Sequence, residues 1–139
     1  MRPLLTMLAP LALAACATSG PALDSSVDPS VDAVVEMTPS LAFSPTPLRI
    51  SAGDTVEFRN VSAFAHTVST VPDDAAERAT VQLPAGATAF DSGPIAAGDI
   101  YRVTFDVPGT YRYFCDPHHG ADMIGTIVVE SVSGNSTSY

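Results

Sequence analysis

Apolar side chains recur at every second position through most of this chain. Thr55-Val56-Glu57-Phe58-Arg59 alternates and sends Val56 and Phe58 to one side. Tyr101 to Val107 repeats the pattern with Tyr101, Val103, Phe105 and Val107 on a shared face, and Tyr111, Tyr113 and Cys115 share one on the following segment. Period two is the signature of an extended strand, whereas a helix would repeat its apolar positions every three to four residues. Ile124 to Glu130 is a β-branched run that reads as a buried strand, and Val31 to Met37 reads as a first edge strand or else as the end of the polar segment before it. Turn chemistry separates the runs at Ala52-Gly53-Asp54, Ala97-Gly98-Asp99 and Pro108-Gly109. Only Asp73 to Thr80 has helical composition, enough for two turns at most. The expected architecture is therefore all-β: a single-domain Greek-key sandwich or barrel.

Composition narrows the function. At 139 residues with 46% hydrophobic and 15% charged side chains, the chain suits one domain and is too apolar for a disordered protein. Fifteen acidic residues stand against six basic ones, for a formal charge of −9. Such a chain cannot neutralise a run of phosphates, which excludes nucleic-acid binding. Two cysteines cannot build a disulfide scaffold, and no apolar run reaches the length of a membrane span.

The first segment reads as an address. Met1 and Arg2 precede an apolar stretch from Leu4 to Ala15, broken only by Thr6 and Pro10, which has the shape of a secretory signal peptide. It closes on Leu13-Ala14-Ala15-Cys16, which resembles the lipobox of bacterial lipoproteins. That resemblance implies cleavage before Cys16 and a lipid on its thiol; an ordinary Ala-x-Ala cleavage with an incidental cysteine is the competing reading. The expected organisation is a signal over 1–15, a lipidated flexible tether over 16–32, a folded domain over 33–131 and a disordered tail over 132–139. The expected location is a membrane facing the periplasm or the cell exterior, reached by export and held by acyl chains.

The chemistry gathers in Cys115-Asp116-Pro117-His118-His119-Gly120-Ala121-Asp122-Met123. Each residue alone has a bland reading: a buried cysteine, a solvated histidine pair, a core methionine. Together with His66, in an exported chain holding three histidines, they offer one thiolate, imidazoles and a thioether. That is the donor set of blue-copper electron-transfer sites. Zinc is the rival, although its structural sites favour four strong ligands.

At this point the chain resembles the cupredoxins, and among them plastocyanin and its halocyanin-like relatives, from about Leu41 to Glu130. The residues that carry the resemblance are Phe43 to Asn60 followed by His66, then Gly109-Thr110-Tyr111-Arg112-Tyr113-Phe114-Cys115-Asp116-Pro117-His118 and Met123 to Val129. Two residues between Cys115 and His118, and four between His118 and Met123, are similar to plastocyanin rather than to amicyanin or azurin. The resemblance implies a cupredoxin-like sandwich and one type 1 copper, Cu(I)/Cu(II), held by His66, Cys115, His118 and Met123. It makes His119 a surface neighbour, at a place where plastocyanins often carry glutamine. Thr67 replaces a frequent asparagine, which leaves the bonding behind the first histidine open. Phe114 lacks the exposed tyrosine hydroxyl of plant plastocyanins. The resemblance also puts the exposed edge of His118 in an apolar patch of Ala63, Phe64, Ala65, Pro117 and Ala121.

The function expected is a membrane-tethered carrier of single electrons between redox partners outside the cytoplasm. Those partners would be a c-type cytochrome or another membrane electron-transfer protein with a basic face, met by a monomer through acidic residues such as Asp73, Asp74 and Glu77. The alternative is an extracytoplasmic copper-binding or delivery protein with no redox role. An enzyme is not expected, because three histidines cannot build a second copper site beside the first.

Overall fold

The strands form where period-two patterning meets turn residues, and they stack as two sheets. The computed structural model describes residues 28–132. The expected signal peptide, Cys16, most of the tether and nearly all of the tail lie outside the described residues. In chain order the elements are β1 (Ala33–Met37), β2 (Phe43–Ser44), β3 (Leu48–Ser51), β4 (Asp54–Asn60), α1 (Ala75–Thr80), β5 (Ile100–Phe105), β6 (Gly109–Phe114), a 3-10 turn (Asp116–Ala121) and β7 (Ile124–Glu130). One sheet runs β2-β1-β4-β5 and the other β3-β7-β6. Each mixes directions, because β1 lies parallel to β4 and β3 parallel to β7, while the other pairs are antiparallel.

The core fills the space between the sheets. Val35, Met37, Val56, Phe58 and Phe105 from one sheet meet Ile50, Tyr111, Tyr113, Ile127 and Val129 from the other. Tyr113 stitches them together: its ring makes edge contacts with Phe43 at 4.8 Å and Phe58 at 5.4 Å between centroids. Such pairs add to the area they bury. Burial drives its phenol far above the ordinary range, and the hydroxyl has no hydrogen-bond partner among the described residues. Tyr111 instead donates to the Val107 carbonyl at 2.7 Å, which ties β6 to the turn before it.

The expected all-β sandwich is what the chain forms, with some local differences. The Ile124 strand alternates: Gly125, Ile127 and Val129 are buried while Ile124, Thr126 and Val128 are half-buried. A two-layer sandwich covers only one face of each sheet, so a β-branched run need not be buried on both. β2 and β3 escape sequence reading because they are two and four residues long and are separated by Pro45 and Pro47. Packing also begins before Ala33, since Val31 is buried and the Asp28 carboxylate pairs with Arg102 at 2.9 Å.

Glu57 breaks the alternation most clearly, lying only 2% exposed in mid-strand. Burial alone would raise its carboxyl, but hydrogen bonds and charge from Arg59 and Arg102 outweigh that and hold it below the ordinary 4.5. A depressed folded value stabilises the fold above the unfolded pKa, and that contribution disappears as pH falls through the folded one. The arginines are 41% and 37% exposed, so water screens the pairs. Glu57→Gln should therefore cost about 1 kcal/mol near neutrality. It should also flatten the loss of stability below pH about 4.5, where urea midpoints taken across the acid range would show a parallel offset instead if the carboxylate contributed nothing.

Candidate metal centre

Three side chains from two separate parts of the sequence, His66 from one and Cys115 and His118 from the other, converge at one end of the sandwich. His66 lies on the connection after β4, where its N–H donates to the Ile95 carbonyl at 3.1 Å and its carbonyl accepts from Ile95 N–H at 2.7 Å. Cys115 follows β6 directly, and its N–H donates to the Met123 carbonyl at 3.0 Å. The segment between them tightens into the 3-10 turn, with Pro117 in its first positions, where a missing N–H is harmless. His118 N–H donates to the Cys115 carbonyl at 3.1 Å, and Met123 N–H donates back to the His118 carbonyl at 3.3 Å. Asp122 ends the turn in the left-handed region, at φ 57°. Asp reaches that region more readily than most residues because its short side chain bonds locally.

The donor atoms stand close together. His66 Nδ1 and His118 Nδ1 are 3.2 Å apart, and Cys115 Sγ lies 3.3 Å from His118 Nδ1 and 3.7 Å from His66 Nδ1. Donors bound to one ion at about 2.0–2.3 Å are held about 3.3–3.6 Å from one another, so this spacing fits a single centre. His66 and Cys115 are wholly buried and His118 is half-buried. Met123 is also wholly buried, pinned to Cys115 and His118 by the two backbone bonds. His119 is turned to other partners: its Nε2 meets Thr80 Oγ1 at 2.9 Å on α1, and its ring stands edge-on to Phe114.

Electrostatics at this point favour a soft cation. Burial pushes the Cys115 thiol up, while the backbone N–H groups of Thr67 and His118 pull toward the thiolate. Burial likewise lowers His66, and repulsion from His118 lowers it further, which favours a neutral His66 ring with a free lone pair. A buried sulfur that needs positive charge to become thiolate, beside a His66 ring kept neutral, is a site that metal binding completes. Thr67 serves on both sides of the gap. Its N–H donates to Cys115 Sγ at 3.3 Å, and its hydroxyl accepts from Asp116 N–H at 2.8 Å.

A family model described as copper binding proteins of the plastocyanin/azurin family matches residues 30–130. This chain belongs to that family. Plastocyanin of Vicia faba is 36% identical over 92 residues, which cover 64% of this chain and 88% of the relative. Chloroplastic plastocyanin of Pisum sativum is 39% identical over 95 residues, 64% of this chain and 52% of the relative, so the chain spans about half of that longer protein. Among solved structures, the Cu(I) form of an amicyanin mutant superposes with a TM-score of 0.58 at 28% identity, covering 76% of this chain and 87% of the other. As a cupredoxin the chain comes from a family that binds one type 1 copper, and His66, Cys115 and His118 form a possible site for it. The family is one of electron carriers.

Two further features surround the centre. His118 opens onto a shallow cleft of about 390 Å³ that Phe64, Ala65, Pro94 and Pro117 line, with Phe64 53% exposed. Of the patch implied by the resemblance, Phe64, Ala65 and Pro117 line this cleft, while Pro94 was not foreseen. The acidic residues are a partial correction. Asp73 and Asp74 are exposed, but Glu77 is buried, its carboxylate accepting from Asp73 N–H at 2.8 Å and lying within 4.8 Å of Asp116. Glu77 therefore tucks its carboxylate under the start of α1, away from the surface that a partner would meet. Asn60 and Ser62, which bond to one another beside His66, had no signal in the sequence that would single them out as part of the site.

Proposed function

We propose that this chain is a one-electron carrier in which His66, Cys115, His118 and Met123 would hold one type 1 copper, with the Met123 thioether as the weakest donor. The observation that carries this reading is the convergence of two imidazole nitrogens and a buried sulfur within 4.8 Å. When bound, copper supplies a one-electron change between Cu(I) and Cu(II). The chain's own part is to hold its donors still. His66 is fixed by a backbone bridge, and Cys115, His118 and Met123 are fixed by a short turn closed on itself. Burial keeps water from the Cys115 sulfur, and the Thr67 N–H tunes its charge. The half-buried His118 and the apolar cleft beside it offer the shortest route to a partner's cofactor.

The same proposal places the domain outside the cytoplasm on a lipidated Cys16, with 1–15 as a removed signal. The Leu13-Ala14-Ala15-Cys16 pattern supports this part, and no helix among the described residues is long and apolar enough to cross a membrane. The formal charge of −9 suits a partner with a basic face, such as a c-type cytochrome.

One preparation tests these points together. The full chain, expressed with its own start in a bacterium and supplied with Cu(II), should give an intense blue band and a narrow parallel copper hyperfine splitting in the membrane fraction. Transfer to a basic cytochrome should slow as salt rises. A pale, wide-splitting spectrum would replace the carrier with the copper-delivery reading, and blue colour only in the soluble fraction would remove the tether.

A further inference from the structure

Behind His66 lies a hydrogen-bond chain whose direction can be worked out atom by atom. Asn60, the last residue of β4, is 2% exposed. Its Nδ2 faces two carbonyls, Phe64 at 2.6 Å and Ile95 at 2.9 Å, and its Oδ1 faces Ser62 N–H at 3.0 Å. Only one orientation of the amide satisfies all three, with the amide nitrogen donating and the oxygen accepting. Ser62, 7% exposed, then brings its hydroxyl to 2.8 Å from that same Oδ1 and 3.1 Å from the Phe64 carbonyl. Both are acceptors, so the single hydroxyl proton belongs on this side. On its other side the Ser62 oxygen accepts from Phe64 N–H at 3.1 Å and meets His66 Nε2 at 2.8 Å.

A hydroxyl has one proton to give. Were it turned to Nε2, the Ser62 oxygen would face Asn60 Oδ1 with no hydrogen between two buried acceptors, a costly contact in a low-dielectric setting. The proton between Ser62 and His66 therefore sits on Nε2. We propose that Ser62 is a positioning residue for the metal centre: its hydroxyl, oriented by Asn60, takes the His66 Nε2 proton and leaves the Nδ1 lone pair facing Cys115 and His118. A partner on the far nitrogen of a ligating histidine sets its tautomer and ring angle. Here that partner is a side-chain hydroxyl, so one substitution can remove it without touching a donor atom.

The inference rests on His66 being a ligand only for its effect on copper; the tautomer itself is a property of the metal-free protein. Ring ¹⁵N shifts of the full chain, recorded without metal at a pH where imidazoles are neutral, should show His66 protonated at Nε2, with a slowly exchanging proton. A proton on Nδ1 would overturn the proposal without any variant being made. Ser62→Ala should speed exchange of that proton and weaken Cu(II) binding about 10-fold while the ligand set keeps its visible band. Ser62→Thr, which retains the hydroxyl, should restore both. Unchanged exchange and copper affinity within twofold of the parent in Ser62→Ala would also overturn it. Failure of the parent chain to take up copper at all would instead count against the carrier reading, with the ring shifts still deciding the role of Ser62.

Discussion

Cys115→Ser should abolish the intense visible band of the copper-loaded chain and weaken copper binding by more than the roughly 100-fold that loss of an outer-shell partner can cost. The substitution changes one atom at a wholly buried position. Serine keeps the shape, and its oxygen can still accept from Thr67 N–H, so the fold has little reason to change. What is lost is the soft, polarisable donor that suits Cu(I) and gives the thiolate-to-copper transition its intensity. A hydroxyl in the same pocket would not ionise at any accessible pH. Visible absorption and a competition titration against a chelator of known affinity measure both effects. A variant that stays blue would place the sulfur outside the centre and undo the proposed ligand set, whatever the remaining donors do.

Gly125→Ala should be among the most damaging single-methyl changes available in the sandwich, costing about 3 kcal/mol or more. Gly125 stands opposite Tyr113 in the β6–β7 register, and a Cβ built there would lie 2.2 Å from the ring carbon Cζ and 2.4 Å from the hydroxyl oxygen. Contacts that short cannot be relieved by rotating a flexible tip, because Tyr113 is wedged between Phe43 and Phe58. Either the ring leaves its place between the sheets or the strands part. Tyr113 lies two residues before Cys115, which follows β6 directly, so displacement should also disturb the metal centre. Urea denaturation of the metal-free protein measures the loss, and combining Gly125→Ala with Tyr113→Leu should recover part of it. Equal stability for Gly125→Ala and the parent would mean that the Tyr113 ring does not lie over Gly125 as described.

Much of this was legible in the sequence, for reasons that differ from element to element. Val56, Phe58, Tyr111 and Tyr113 announce their strands because a pleated chain covered on one face imposes period two on its residues. Asp74 heads α1 as an N-cap, its side chain accepting from Glu77 N–H, which is why that short run reads as helix. The spacing of Cys115, His118 and Met123 is local, so their placement in one turn follows from chain length alone. Glu57 and Glu77 were not legible in this way. Glu57 is buried beside Arg102, 45 residues away, and no pattern along the chain marks that pair; Glu77 bonds locally to Asp73 N–H, and is buried only because α1 lies beside the turn that carries Asp116.

The sequence by itself therefore determined the strand-forming segments, the all-β class and the types of donor atom available. Those properties depend on neighbours a few residues apart, where alternation and turn chemistry act. The tertiary structure alone decided that His66, 49 residues before Cys115, brings its Nδ1 to the sulfur, and that Thr67 serves both sides of the site. It alone also decided which nitrogen of His66 is free, because that depends on where the one proton of Ser62 can go among Asn60, Phe64 and the ring. A hydrogen bond is set within tenths of an ångström, and only the packed sheets fix positions that finely.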